Sequence, residues 1–317
     1  MNNLCSRTRH GTVQAAITVL TVLLMATASV PLPAQSPYKL SVDIDLVSLN
    51  VSVQNRGGQP VDNLKRENFH VLEDGKPQEI AVFQAKDSPA TIGLVIDNSG
   101  SMGPIKADVV QAAKTFVELG NVEDDMFVLH FNDNAVFGLP SDLPFTTNRL
   151  LLDSAIAQMH PIGRTALYDS VWTALDHLNT STRENRFLVV FSDGGDNASR
   201  RTEAEVVRKV QESNVTVYAI GLYDTFNEDR SRRTLNRLAS LTGGKAFFPS
   251  DPTELDEAWK QVASGIRNRY IVGYSPTNQK RDGKYRRLRV EVSVPGQSHI
   301  EVRTRPGYIA PLRNDER

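Results

Sequence analysis

The sequence predicts an α/β fold: a doubly wound, mostly parallel sheet, inserted in or flanked by a small all-β sandwich. Three observations predict it. Through the middle of the chain, short apolar runs alternate with amphipathic helical stretches, the pattern of parallel strands joined by crossover helices. At both ends, apolar residues recur at every second position between Gly-containing turns, which is strand periodicity. Each β end is too small for a good core of its own, so the two are expected to pair.

Composition narrows the function classes. The 317 residues are 40% hydrophobic and 23% charged, ordinary values for a globular chain. The 36 basic and 37 acidic side chains create no field of one sign, which argues against a nucleic-acid binder. Cys5 is the single cysteine, so a disulfide scaffold, a Cys-ligated zinc site and thiol catalysis on the folded part are excluded.

Taken in order, residues 1–34 read as a signal peptide. Arg7, Arg9 and His10 precede an apolar run from Ala15 to Val30, and small residues end at Ala34. Cleavage is expected after Ala34, with Ala28 the alternative. The run is shorter than the roughly 20 residues of a spanning helix; left uncleaved, it would anchor the chain to a membrane. The protein is therefore expected to be secreted, periplasmic or at the cell surface.

Residues 37–89 form an N-terminal β unit. Leu40 to Val53 alternate, with a phase shift near Leu46 that predicts a bulge. Asn55 to Gly58 read as a turn, and Asp74-Gly75, between Phe69–Leu72 and Ile80–Phe83, as a hairpin. Residues 90–266 form the α/β domain, opening with the buried run Ile92–Ile96 and a helix from Pro104 to Leu119. Residues 267–310 form a C-terminal β unit with strands at Tyr270–Tyr274, Tyr285–Val294 and His299–Thr304, expected to pair with 37–89. Residues 311–317 are a tail.

Ligands of such sheets bind beyond the carboxyl ends of the strands. There the chain reads Asp97-Asn98-Ser99-Gly100-Ser101-Met102-Gly103. Carboxylate and hydroxyls at i, i+2 and i+4 of a tight loop can face one space. Gly163-Arg164-Thr165 and Ser192-Asp193-Gly194-Gly195 occupy loops at the same end. Oxygen donors without nitrogen or sulfur suit a hard cation, Mg²⁺ foremost, with Mn²⁺ or Ca²⁺ as alternatives. A second reading has Asp97 and the serines only capping the following helix.

These residues resemble the metal-ion-dependent adhesion site of von Willebrand factor type A domains, Asp-x-Ser-x-Ser…Thr…Asp. Asp97, Ser99, Ser101, Thr165 and Asp193 are the matching positions. The resemblance implies a Rossmann-like domain in which serines and threonine ligate the metal, the carboxylates act directly or through water, and a partner's Asp or Glu carboxylate completes the sphere. The flanks resemble exported bacterial "VWFA-related" proteins in three stretches: Phe69 to Ile80, Tyr270-Ile271-Val272-Gly273-Tyr274-Ser275-Pro276, and Arg305-Pro306-Gly307-Tyr308.

No enzyme is expected, and no catalytic residue or organic cofactor is assigned. Gly-x-Ser-x-Gly is absent, no histidine is placed as a base, and no Walker A or Gly-x-Gly-x-x-Gly sequence supports nucleotide binding. Two alternatives stand beside the adhesion module: a structural envelope component whose metal only stabilises the fold, and a Mg²⁺-dependent phosphohydrolase. Asp133, Asn134, Asp196 and Asn197 read as polar turn residues. Arg200, Arg201, Arg208 and Lys209 read as a solvated helix start and face, and Trp172 and Trp259 as core.

Overall fold

A computed structural model of the chain describes residues 46–85, 88–193, 195–222, 228–294, 296 and 299–312. The expected leader, Cys5 and the strand start ahead of Leu46 lie outside these residues, as do Gly194, Pro295 and the tail beyond Leu312.

The N-terminal part supplies β1 (Val47–Asn55), β2 (Phe69–Glu73), β3 (Lys76–Gln78) and β4 (Ile80–Ala85). In β1 the odd positions Val47, Leu49, Val51 and Val53 are buried, as alternation requires. Asp74 and Gly75 both adopt positive φ, 48° and 78°, the conformation of a tight two-residue hairpin turn. The hairpin closes on β3, with Val71 opposite Gln78. The run expected to return beside β2 instead leaves as β4 for a different sheet. There Phe83 meets Phe69 across the core and Tyr270 within its own sheet, at ring-centroid distances of 5.2 and 5.8 Å.

The middle of the chain supplies β5 (Thr91–Asp97), α1 (Lys106–Leu119), β6 (Asp125–Phe131), β7 (Ala135–Phe137), α2 (Arg149–Ala157), α3 (Leu167–Leu178) and β8 (Arg186–Ser192). It continues with α4 (Glu203–Glu212), β9 (Val215–Gly221), α5 (Glu228–Ser240), β10 (Ala246–Phe247) and α6 (Pro252–Arg267). Six strands form one sheet in the order β10-β9-β8-β5-β6-β7. All neighbours are parallel except the edge strand β7. β5 and β9 are buried along their whole length, as expected of strands covered by helices on both faces. Trp259 of α6 is fully buried and stacks on Phe191 at 4.0 Å. The helix expected from Pro104 starts at Lys106, because a 3₁₀ turn, Gly100–Ile105, comes first. Two glycines and a proline, which lacks an amide hydrogen, disfavour an earlier α-helical turn.

The C-terminal part supplies β11 (Tyr270–Tyr274), β12 (Tyr285–Val292), β13 (Ile300–Arg303) and a strand not anticipated from the sequence, β14 (Gly307–Ile309). The two chain ends interleave in two four-stranded sheets, β13-β1-β11-β4 and β14-β12-β2-β3. One hydrophobic cluster, including Leu49, Val51, Phe69, Val71, Val272 and Leu288, lies between them. The α/β layer is thus inserted in an all-β sandwich built from both ends.

The seam lies at the amino ends of the parallel strands. Asn50 of β1 donates to the Thr216 hydroxyl at the start of β9, 3.3 Å away, and accepts from Arg269 Nε at 3.1 Å. The Arg269 guanidinium lies over the Phe187 ring, at the start of β8. Strands of seven residues separate this seam from the carboxyl edge by about 20 Å, so the loops at that edge open away from the sandwich.

Candidate metal centre

The carboxyl edge holds three loops, and backbone bonds join them. Gly100 N–H donates to Gly163 O at 3.1 Å, and Ile162 N–H to Asn98 O at 2.9 Å. Gly163 has φ 83°, and a Cβ there would stand 2.2 Å from Asp133 Oδ2; only glycine lets the second loop approach so closely. The second and third loops meet at Thr165. Its N–H donates to Asn197 Oδ1 at 2.9 Å, and its carbonyl accepts from Asn197 N–H and Ala198 N–H at 2.9 and 3.1 Å.

Asp97 is fully buried at the end of β5. It accepts from Ser99 N–H at 2.9 Å and from the Ser192 hydroxyl at 2.6 Å. Burial, and next the charge of Asp193, push its pKa up to about 7; the Ser192 and Ser99 hydrogen bonds act in the opposite direction. Asp193 therefore lies within electrostatic reach of Asp97. The Ser99 and Ser101 hydroxyl oxygens are 3.0 Å apart, and Ser99 and Thr165 are both buried. Of the alternative reading, in which these residues cap the helix and satisfy loop amides, Asp97 does meet the Ser99 amide, whereas Ser99, at the cap of the 3₁₀ turn, makes no side-chain capping bond.

This set has the chemistry of a hard-cation site. Asp97 is buried and Asp193, partly buried, brings like charge within reach of it; a divalent cation would relieve that conflict. The two serine hydroxyls are hydrogen-bonded to one another at 3.0 Å, which places two neutral oxygen donors side by side. Among the described residues no group of three or more His, Cys, Asp and Glu gathers to hold a metal, so any ion here depends on hydroxyls. Asp97, Ser99, Ser101, Thr165 and Asp193 are the residues that could hold it. Bound there, a divalent cation would supply an electrophilic position for an outside oxygen.

The polar turn residues keep their place in turns, as at Asp133 and Asn134 between β6 and β7, and several of them also brace the site. Asp133 accepts from Arg164 N–H at 3.0 Å and from its guanidinium at 2.9 Å, bracing the residue before Thr165. Asp196 Oδ2 accepts from Tyr168 N–H at 3.0 Å, and Ser199 Oγ from Asp169 N–H at 3.1 Å. They cap α3 from another loop, because its own N-cap residue is Ala166. Arg201 is not merely solvated: it pairs with Asp169 at 3.1 Å and covers the half-buried Trp172, as Lys209 does. Oxygen-rich side chains in a loop were the only sequence signal for these positioning roles, and that signal does not tell a cap from a turn.

The chain belongs to the von Willebrand factor type A domain family, whose sequence profile matches residues 91–261. Integrin alpha-M of Mus musculus is 27% identical over 194 residues, 56% of this chain and 16% of the integrin; the match spans under a fifth of that relative. A von Willebrand factor type A protein from Catenulispora acidiphila superposes with TM-score 0.50 at 14% identity, covering 78% of this chain and 75% of the other. The corresponding domain of the type V pili tip protein Mfa5 from Porphyromonas gingivalis gives 0.47 at 14% identity, over 56% and 95%.

Proposed function

We propose that the protein is an exported binding module, not an enzyme, in which residues 90–266 capture the Asp or Glu carboxylate of a partner protein through a divalent cation. Asp97, Ser99, Ser101, Thr165 and Asp193 hold the ion, Mg²⁺ or Mn²⁺ in preference to Ca²⁺. The observation that carries this reading is the buried Asp97, within electrostatic reach of a second carboxylate and beside the paired Ser99 and Ser101 hydroxyls. The sandwich, whose described strands fall within 47–85 and 270–309, holds the α/β domain by the opposite edge, which leaves the metal edge open to a partner. Residues 1–34 direct export to the periplasm, cell surface or medium.

Capture of envelope proteins by the immobilised protein, in Mg²⁺ and in EDTA, tests the reading. Retention that requires Mg²⁺ and disappears in Thr165→Ala, with unchanged circular dichroism, is the expected result. Equal retention in EDTA would overturn it. A variant that unfolds more readily but keeps every partner would instead assign the ion a structural role.

A further inference from the structure

A second site lies at the seam, remote from the carboxylates. Ser52, Gln54 and Arg303 of the sandwich and Tyr218, Lys245 and Gln261 of the α/β layer line one cleft. Two of these side chains are cationic and none is acidic. Lys245 makes no ion pair among the described residues; its ammonium rests over the Phe247 ring at 4.8 Å. Burial, and next the positive charge of Arg303, lower its pKa, with Glu301 opposing. Arg303 pairs with Glu301, 2.9 Å from its Nε, but that acid is 60% exposed and stands outside the lining. The second face of the guanidinium donates to Gln54 Oε1 at 2.6 Å. The Tyr218 hydroxyl is part of the same lining and makes no hydrogen bond among the described residues, although Tyr218 is 94% buried, its relative exposure being 6%. Its pKa is raised by burial and lowered by Arg269 and Arg303 in turn. Positive charge therefore exceeds negative charge in a partly dry space that also holds an unused hydroxyl donor.

We propose that this cleft binds a small tetrahedral oxyanion of the phosphate or sulfate class, bridged between Lys245 and Arg303 and reached by the Tyr218 hydroxyl. An ammonium, a guanidinium and a hydroxyl are suitable donors for such an anion. Because its ligands come from both layers, the anion ties the sandwich to the α/β domain. The site is independent of the metal reading.

The test is thermal unfolding of the protein in EDTA, comparing inorganic phosphate with chloride at matched ionic strength. At about ten times its dissociation constant, phosphate should raise Tm by about 3–6 °C. In Lys245→Gln this response should vanish, while Tm in chloride stays equal or rises, because the substitution removes a half-buried charge that has no ion pair. Arg303→Gln should also lose the response. Sulfate should act as phosphate does, and acetate at the same concentration should act weakly. A phosphate shift that persists in both variants is a general salting effect and would overturn the site, as would no shift in the parent. An equal response to acetate would overturn the tetrahedral class. Asp97→Ala should keep the full phosphate response, which separates this site from the metal centre.

Discussion

Two carboxylates lie deep in this molecule, and they are handled in opposite ways. Glu73, in the sandwich, is 2% exposed. The hydroxyls of Tyr274 and Tyr308 both donate to its Oε2, at 2.7 and 2.9 Å. Burial first, and then the bond to Glu73, push both tyrosines well above the ordinary phenol range, so both remain protonated donors. Asp97, in the α/β domain, is as deeply buried but lies within reach of a second acid. The first carboxylate completes a network and holds the fold. The second is left with a charge conflict, which the cation of the proposed function would relieve. A buried acid stabilises when its acceptors are met by neutral donors, and becomes a binding site when a like charge is placed beside it.

The largest effect is expected from breaking the network. Glu73→Ala removes the acceptor shared by the buried Tyr274 and the half-buried Tyr308, at about 1–3 kcal/mol for a buried hydroxyl and less for the other. A loss of roughly 2–4 kcal/mol in urea unfolding is expected, after allowing for relaxation. Glu73→Gln keeps an acceptor and should lose less. If Glu73→Ala unfolds like the parent, the contrast between the two acids fails.

Asp97→Asn should behave in the opposite way. In EDTA it should be as stable as the parent or more so, because the amide oxygen keeps the Ser99 bond, the amide N–H can donate to the Ser192 oxygen in a reversed bond, and the repulsion is removed. It should lose the metal response, which in the parent is about 3–6 °C at roughly ten times the dissociation constant. A clear loss of Tm for Asp97→Asn in EDTA would show that Asp97 stabilises the fold as Glu73 does.

A smaller, pH-dependent effect is expected at His130, on β6. Its Nε2 donates to Ala155 O at 2.8 Å, while Nδ1 is buried without a partner. Burial therefore lowers its pKa below the ordinary 6.5, opposed only by the Ala155 bond. The unfolded chain binds a proton at higher pH than the fold does, so the contribution is complete above about 6.5 and is lost as pH falls below it. His130→Gln should flatten that part of the stability–pH curve; an unchanged slope would refute the assignment. The smallest effect belongs to Arg208→Ala, which breaks an exposed i,i+4 pair with Glu212. It should cost no more than about 0.5 kcal/mol in the same urea assay.

By itself the sequence determined the elements and the candidate ligands. Strand and helix periods are local, so β5, α4 and β11 were readable to within a residue or so, and Asp-x-Ser-x-Ser after a buried strand marks the first loop. It did not determine that β4 abandons its hairpin, that Gly307–Ile309 forms a strand, or that α3 is capped by Asp196 and Ser199. These depend on partners far away in the chain: β4 lies against β11, and β14 against β12. The three flanking stretches that resemble the exported family had no common role in the sequence. Folding brings Glu73, Tyr274 and Tyr308, one from each stretch, into a single hydrogen-bond network. Periodicity reports which face of an element is apolar, whereas only the closed fold decides which distant polar group meets a buried charge.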